Sequence, residues 1–454
     1  MNRLLPGRGT LGRSGAVRSR TEGGIVRTPS RLLVVLAVVA TVATGCSSSP
    51  TSSGTSSTTA GSSPAGAAGN SPGITATSVT VGQVDDISAP VAGLFKGAED
   101  GTQAYFDYVN ANGGINGRKL VLDASDSAFQ GGTVTSATSR QIAGDFALVG
   151  GFSLLDSSEQ ALIDAAHMPD VGYPLSPQLA GDPNVYSPLP STSNDYPIGF
   201  MQYLKQQYPQ AVKHVGILWA NATASTQAAE VAFERALKAE GFVIAYDRGF
   251  TPFESSFLPD VLAMKSAGVQ LFFSTQMPDS YAATLAKEMQ QQSFHPLNVE
   301  GAAYSNQFVS LAGGAADGVY IEQQYALYLG QDASVVPAVT TFDHWVKHAD
   351  AGATFEIETL YGWASAELFA QALKAAGAHP TRASLVAALG QVTSFDAGGL
   401  IPTENPSANI PASCWLLAQV EGGSIVRVSP TPASGFVCSP GGRLPASGWQ
   451  PEHR

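Results

Sequence analysis

Apolar positions Ala98, Ala104, Tyr105, Tyr108 and Val109 recur at near-helical spacing and predict an amphipathic helix over Lys96–Ala111. Gly113 stands where such a helix ends, because a residue without a Cβ readily takes the left-handed conformation that closes the last turn. Asn116-Gly117 then suits a type I′ turn, and the alternation in "RKLVLDAS" predicts a strand, with Ile115 and Leu120 flanking a tight hairpin.

The same alternation makes strands of "VTVGQV" (79–84), "KLVLDAS", "FALVGG" (146–151) and "MPDVGYP", with helical spacing between them at 96–111 and near 133–143 and 157–166. The pattern restarts after "NDYPIGF". There "HVGILWA" (214–220), "FVIAYDR", "VQLFFST" (269–275) and "HPLNVEG" read as strands, and 226–239, 259–267 and 280–291 as helices. The first of these helices carries Ala229, Phe233, Ala236 and Leu237 on one face. Strand-helix-strand succession at this spacing predicts an α/β protein with doubly wound parallel sheets, and two sets in tandem predict two lobes with a cleft between them. The final third differs. It predicts helices at "YGWASAELFAQALKAAG" (361–377) and "TRASLVAALGQV", and a hairpin in "CWLLAQVEGGSIVRV" turning at Gly422-Gly423.

Composition adds a compartment. The 454 residues are 44% hydrophobic and 13% charged, ample for a core and too long for one ordinary domain. The first 31 residues hold seven arginines and one acid, and "LLVVLAVVATV" (32–42) then runs uncharged into "ATGCSSS". That run is too short to span a bilayer and fits the core of a secretory signal over residues 1–45. Ala43-Thr44-Gly45 before Cys46 resembles the bacterial lipoprotein cleavage box, in which the cysteine becomes the lipidated first residue of the mature chain. The alternative is an ordinary cleaved signal with Cys46 incidental. More than one acyl chain at Cys46 would hold the protein on a membrane durably. Residues from Ser47 to about Gly73 are nearly all Ser, Thr, Gly, Ala and Pro, a composition that cannot bury enough apolar surface to fold, so 46–76 reads as a lipidated cysteine and tether. Losing residues 1–45 moves the net charge from −12 to −18, which argues against a nucleic-acid partner. In an oxidising compartment Cys414 and Cys438 are expected to pair, the alternative being two buried thiols.

Several segments, taken in order, resemble the type I periplasmic solute-binding proteins, in the branch that includes the leucine/isoleucine/valine receptors. "GAEDGTQAYFDYVNANGGINGRKLVLDASDSA" is similar to that family's first helix, hairpin and second strand, and "FALVGGFSLLDSS" to the strand and serine-bearing loop that follow. "TLYGWASAELFAQALKAAGAHPTRASLVAAL" and "SFDAGGLI" are similar to its closing helices and last crossover. The resemblance runs from Thr77 to about Val428. It implies two doubly wound parallel-sheet lobes joined by three crossovers, near 192–196, 320–325 and 395–400. Lobe 1 is then expected over 77–195, lobe 2 over 196–322, a part crossing between and completing both over 323–428, and a tail over 429–454. It also implies a small-molecule solute held between the lobes, an ABC permease as membrane partner, and no catalysed reaction or cofactor.

Ligands in open α/β sheets bind beyond the carboxyl ends of strands. The candidate loops are 85–95, 151–158 and 173–176 in the first lobe, and 219–224, 275–277 and 300–304 in the second. From these come Asp85, Phe95, Gly151, Phe152, Ser153, Ser157, Tyr173, Ser176, Trp219, Thr223, Gln276, Met277, Glu300 and Tyr304. The glycine before Phe152 lets the backbone approach a ligand, and Ser153 and Ser157 with nearby helix amides could receive a carboxylate, although Asp156 or Ser157 could equally cap that helix. Glu300 resembles the family's acidic residue that meets a ligand's ammonium; a solvated strand-end glutamate is the alternative. Tyr173, Trp219 and Tyr304 could be flat walls or plain core. Thr223 or Ala224 stands where amino-acid receptors commonly carry an aromatic residue, and only Ser176 of "YPLSPQL" matches their Ser-Pro-Ala-type segment. These departures put an aliphatic amino acid in doubt.

Other chemistry is weakly signalled. "GFSLL" resembles a nucleophile elbow but lacks the second glycine and a linked histidine. His344 and His348 are four apart without the glutamate of a zinc-peptidase motif, and Asp85-Asp86 are strand neighbours that point to opposite faces. The expected function is the solute receptor of an uptake system for a small polar solute such as an amino acid, amide or urea. A ligand-sensing receptor with the same fold, or an envelope hydrolase, are the alternatives.

Overall fold

A computed structural model describes residues 71–89, 92–190, 195–353, 355–431, 435–439 and 441–445. The expected signal segment, Cys46, the tether up to residue 70, positions 192–194 of the first crossover and residues 446–454 of the tail lie outside the described residues.

The first lobe is built from β1 (Ser78–Asp85), α1 (Lys96–Ala111), β2 (Lys119–Asp126), α2 (Gly131–Gly144), β3 (Leu148–Val149), α3 (Gln160–Ala166), β4 (Asp170–Val171), α4 (Pro177–Ala180) and β5 (Val185–Tyr186). Its five strands are parallel in the order β2-β1-β3-β4-β5, with Ser78 opposite Lys119 and Asp85 opposite Asp126. Strand β1 alternates in sequence yet is buried almost along its length, because helices cover both faces of the sheet and enclose Gln83 and Asp85 along with the valines. The turn after α1 has positive φ at both Asn116 (50°) and Gly117 (77°), as a type I′ turn requires, and Ile115 and Arg118 exchange both backbone hydrogen bonds across it. Leu120 lies beyond that short bridge, paired with Val79 in the parallel ladder. Residues 73–74, expected within the tether, instead lie against the first sheet. Ile74 is buried in the core and the Thr80 amide donates to the Gly73 carbonyl, so an apolar side chain and a backbone bond hold 73–74 on β1.

The second lobe follows β6 (Asp195–Pro197) and comprises α5 (Gly199–Gln207), β7 (Val215–Ala220), α6 (Ala224–Ala239), β8 (Ile244–Phe250), α7 (Leu258–Ser266), β9 (Leu271–Thr275), α8 (Asp279–Gln291), β10 (Leu297–Glu300), α9 (Asn306–Ala312) and β11 (Tyr320–Gln323). Alternation sets its two cores: Val215, Ile217, Leu271 and Phe273 pack with Met201, Leu204, Ala236 and Leu237 on one face, while Leu218 and Phe272 join the larger cluster on the other.

The chain then returns to the first lobe, where α10 (Pro337–Ala349) and α11 (Ile357–Ala375) pack on α1 and α12 (Arg382–Leu389) packs on α11. It crosses back to supply β12 (Cys414–Glu421) and β13 (Ser424–Ser429), antiparallel strands that extend the second sheet as β13-β12-β11-β10-β9-β7-β8. The last two crossings touch, the Ala326 amide donating to the Leu400 carbonyl. After β13 the chain forms β14 (Val437–Cys438), paired with β12 and joined to it by the Cys414–Cys438 disulfide, and β15 (Arg443–Pro445), antiparallel to β6. Residues 443–445 thus fasten the first crossing.

Helices α1 and α11 meet backbone to backbone. A Cβ on Gly101 would stand 1.9 Å from the Thr359 carbonyl oxygen, and one on Gly362 2.1 Å from that of Ala98. Elsewhere a buried ion pair ties β13 to the chain leaving β11: Arg427 donates from Nε and Nη2 to both carboxylate oxygens of Asp332, with side chains 7% and 1% exposed. Asp332 also accepts from the Leu327 amide. Asp332→Ala leaves a buried, unmatched guanidinium and is expected to lower stability by about 3–5 kcal/mol in urea unfolding; a loss below about 1 kcal/mol would show that water reaches Arg427 in its place.

Candidate ligand-binding cleft

Loops leaving the carboxyl ends of both sheets converge on one cavity of about 430 Å³. The first lobe contributes residues 92–95 after β1, Phe152 and Leu154 after β3, Tyr173 and Leu175 after β4, and Glu356, Ile357, Glu358 and Tyr361 from the start of α11. The second contributes Ala220 at the end of β7 and Ala222 after it, Phe250 at the end of β8 and Pro252 after it, residues 276–281 after β9, and Tyr304, Ser305 and Gln307 after β10.

One wall is a stack of rings. Tyr173 and Tyr361 lie parallel with centroids 4.2 Å apart, Phe152 is stacked near both at 5.6 and 5.7 Å, and Phe95 meets Phe152 edge-on at 4.7 Å. The loop that bears Phe152 is pinned by adjacent aspartates. Asp85 accepts from the Phe152 amide at 2.8 Å, and Asp86 accepts from the Ser153 hydroxyl at 3.0 Å and the Leu154 amide at 2.7 Å. On the opposite side the Tyr304 hydroxyl donates to Gln331 and accepts from the Leu329 amide, fixing its ring.

Of the residues singled out in sequence, Phe95, Phe152, Tyr173, Gln276, Met277 and Tyr304 line this cavity. The others stand elsewhere, and each for a visible reason. Asp85 is fully buried beneath the loop it holds. Gly151 and Ser153 face a separate, water-sized cavity of about 20 Å³ inside the first lobe, beside Asp156, Glu159 and Asp170, and the Ser153 hydroxyl is committed to Asp86 and the Leu155 amide. Ser157 is exposed on the short 3-10 turn 156–158 and lines neither cavity. Ser176 and Thr223 cap α4 and α6, accepting from the Leu179 and Thr226 amides. Trp219 donates its indole N–H to Asp247 at 2.8 Å and packs over Gly249 and the α5/α6 core, away from the cleft. Glu300 is buried behind the cleft with Ser274 donating to one oxygen and the other unpartnered, and burial pushes its carboxyl up to about 7.

Sequence reasoning passed over the start of α11. Its signal is the acidic "FEIETLY" before a long apolar helix: Glu356 takes the Thr359 amide while the Thr359 hydroxyl accepts from the Glu356 amide. Two residues on, Glu358 has no cation or donor from any other described residue, and burial, then the charges of Glu356 and Asp279, push its carboxyl up to about 8. Asp279, at the head of α8, accepts from Ser305; burial raises it above the ordinary carboxylate range. The lining residues, among those described, include no lysine, arginine or histidine. Among the described residues no three His, Cys, Asp or Glu side chains are grouped to hold a metal, and no helix is long and apolar enough to cross a membrane. His344 and His348 instead flank the Trp345 ring on α10.

A family model described as periplasmic binding protein matches residues 78–424. No curated protein matches in sequence. Among solved structures, the fold is similar to a fatty acid ABC transporter substrate-binding protein from Thermomonospora curvata, with a TM-score of 0.67 at 18% identity over 82% of this chain and 95% of that one. It is also similar to a possible leucine/isoleucine/valine-binding protein from Rhodopirellula baltica (TM-score 0.66, 16% identity, 78% and 97% covered) and to a leucine-binding protein from Thermotoga maritima (TM-score 0.62, 14% identity, 77% and 98% covered).

Proposed function

The chain belongs to the periplasmic binding protein family, and from that membership we propose that it is the extracytoplasmic receptor of an ABC-type uptake system. It takes a small solute into the cleft between its lobes and presents the loaded form to a membrane permease, without catalysing a reaction. The cleft carries this reading: strand-end loops of both sheets bound one cavity of about 430 Å³, so a single molecule there touches both lobes. Contact with both lobes at once gives the solute a higher affinity for the closed arrangement, which it then populates. The hinges are the three passages of chain between the sheets.

Phe95, Phe152, Tyr173, Gln276, Met277 and Tyr304, with Tyr361 and Tyr281, are the proposed contacts. Their character favours a solute with an apolar or aromatic body over urea or a small amide, in keeping with the fatty acid and leucine named for two similar structures. Cys46 is the proposed lipid anchor and the segment after it the tether that lets the lobes reach a permease. The test is a thermal-shift screen of the mature chain against amino acids, amides, ureas, aromatic acids, fatty acids and amines. A true solute at 100 times its dissociation constant is expected to add about 2.7 kcal/mol of stability. A panel that leaves the midpoint where it was overturns the reading.

A further inference from the structure

Resting on the receptor reading above, we propose that the solute is an organic cation: an ammonium group on an aromatic or alkyl body, its charge set against Glu358. Three features of the cleft converge on this. Its walls are aromatic and aliphatic, and its charged residues are all acidic, Asp279 on one side and Glu356 and Glu358 on the other. A carboxylate in such surroundings is costly until a cation reaches it, and no lining residue among those described supplies one. Glu358 is the group left over. Glu356 is occupied by capping α11 and Asp279 by Ser305, while Glu358 borders the cavity with no side-chain partner among the described residues.

The same helix end argues against an anionic solute. The first-turn amides of α11 are the groups that would receive a carboxylate, but the helix's own Glu356 already takes the Thr359 amide and Glu358 adds a second negative charge beside it. An incoming acid would therefore meet carboxylates where it needs donors. Aromatic walls, by contrast, tolerate a cation and gain from the apolar body it carries. The groups around Glu358 are Asp279 from α8, Tyr173 from the β4 loop, Tyr325 and Tyr328 from the chain after β11, and Glu356 and Tyr361 on its own helix; none is cationic. Because burial holds the Glu358 carboxyl up to about 8, an ammonium ion that binds the carboxylate form displaces a proton, and affinity rises between about pH 6.5 and 8.5.

Calorimetry on the mature chain with matched probes tests this. Phenyl and octyl bodies are each offered with an ammonium, a hydroxyl or a carboxylate end: 2-phenylethylamine, 2-phenylethanol and phenylacetate; octylamine, octanol and octanoate. The ammonium form of at least one body is expected to bind ~10-fold more tightly than its alcohol and ~100-fold more tightly than its acid. Glu358→Gln is expected to bring the ammonium-to-alcohol ratio close to one while retaining a cooperative thermal transition. An acid that binds as well as the amine overturns the inference and leaves the receptor reading standing, as does an unchanged ratio in the variant. Failure of every ammonium probe also overturns it, and the broader screen then decides the receptor reading separately.

Discussion

Gly362→Ala is expected to destabilise the protein by at least ~3 kcal/mol, among the largest losses available from one added methyl group. The new Cβ would lie 2.1 Å from the Ala98 carbonyl oxygen and 2.9 Å from the amide and hydroxyl of Thr102, so α11 must move off α1. Backbone cannot yield as the end of a side chain can. Both helices are buried along this contact, and displacing α11 also moves Glu356, Glu358 and Tyr361 at the cleft. Gly101→Ala, whose Cβ would meet the Thr359 carbonyl at 1.9 Å, should behave alike. Gly132→Ala is the control: it sits in α2 with open space around it and an ordinary φ, and is expected to be neutral or to gain up to ~1 kcal/mol. Urea unfolding of the three variants decides the matter; a loss below about 1 kcal/mol in Gly362→Ala would mean that the helices are not held in this contact.

Stability is expected to fall as pH rises from 5 to 8.5. Burial pushes the carboxyls of Asp170 and Glu300 up to about 7 and that of Glu404 up to about 8, and all three residues are buried. In the unfolded chain these groups release their protons near pH 4, so between pH 4 and 8 the folded state binds more protons than the unfolded one. Under that inequality stability declines with pH. Their contribution is therefore fully present below about pH 4 and is lost as pH climbs through 7 to 8. Each tenfold difference in proton affinity between the folded and unfolded chain is worth about 1.4 kcal/mol, and with a discount for relaxation on ionisation the loss is on the order of 5 kcal/mol. For a chain of this length it corresponds to a melting temperature lower by about 6 °C at pH 8.5 than at pH 5. A midpoint that stays constant or rises across this range would mean that these carboxyls ionise in contact with water.

Elements whose pattern is local were legible in the sequence. The helix over Lys96–Ala111 has its expected limits because an apolar stripe, a glycine stop and an Asn-Gly turn agree with one another. Where the pattern is short the sequence overreached: "FALVGG" forms a ladder only at Leu148–Val149, since Gly150 turns the chain with a φ of +78°. In the cleft, Phe152 and Tyr173 could be anticipated because each follows closely on a strand, and Phe95 because it ends the loop from β1 to α1. The hydroxyl residues could not be sorted the same way. Ser153, Ser176 and Thr223 look alike in sequence whether they face a ligand or satisfy backbone amides, and here they are engaged with their own loops and helix ends. Glu358 was hidden for a different reason: it reaches the cleft from a helix about two hundred residues beyond the Phe152 loop, through packing on α1 that no local pattern records.

Asp279 heads a helix on one side of the cleft and Glu358 heads a helix on the other. The closure proposed above would bring together two groups that each prefer a proton or a positive neighbour, so in alkaline solution their like charges would oppose it until a solute arrives. On that proposal the latch is the guest itself: a positive charge arriving between them would cancel the push, and its departure would restore it.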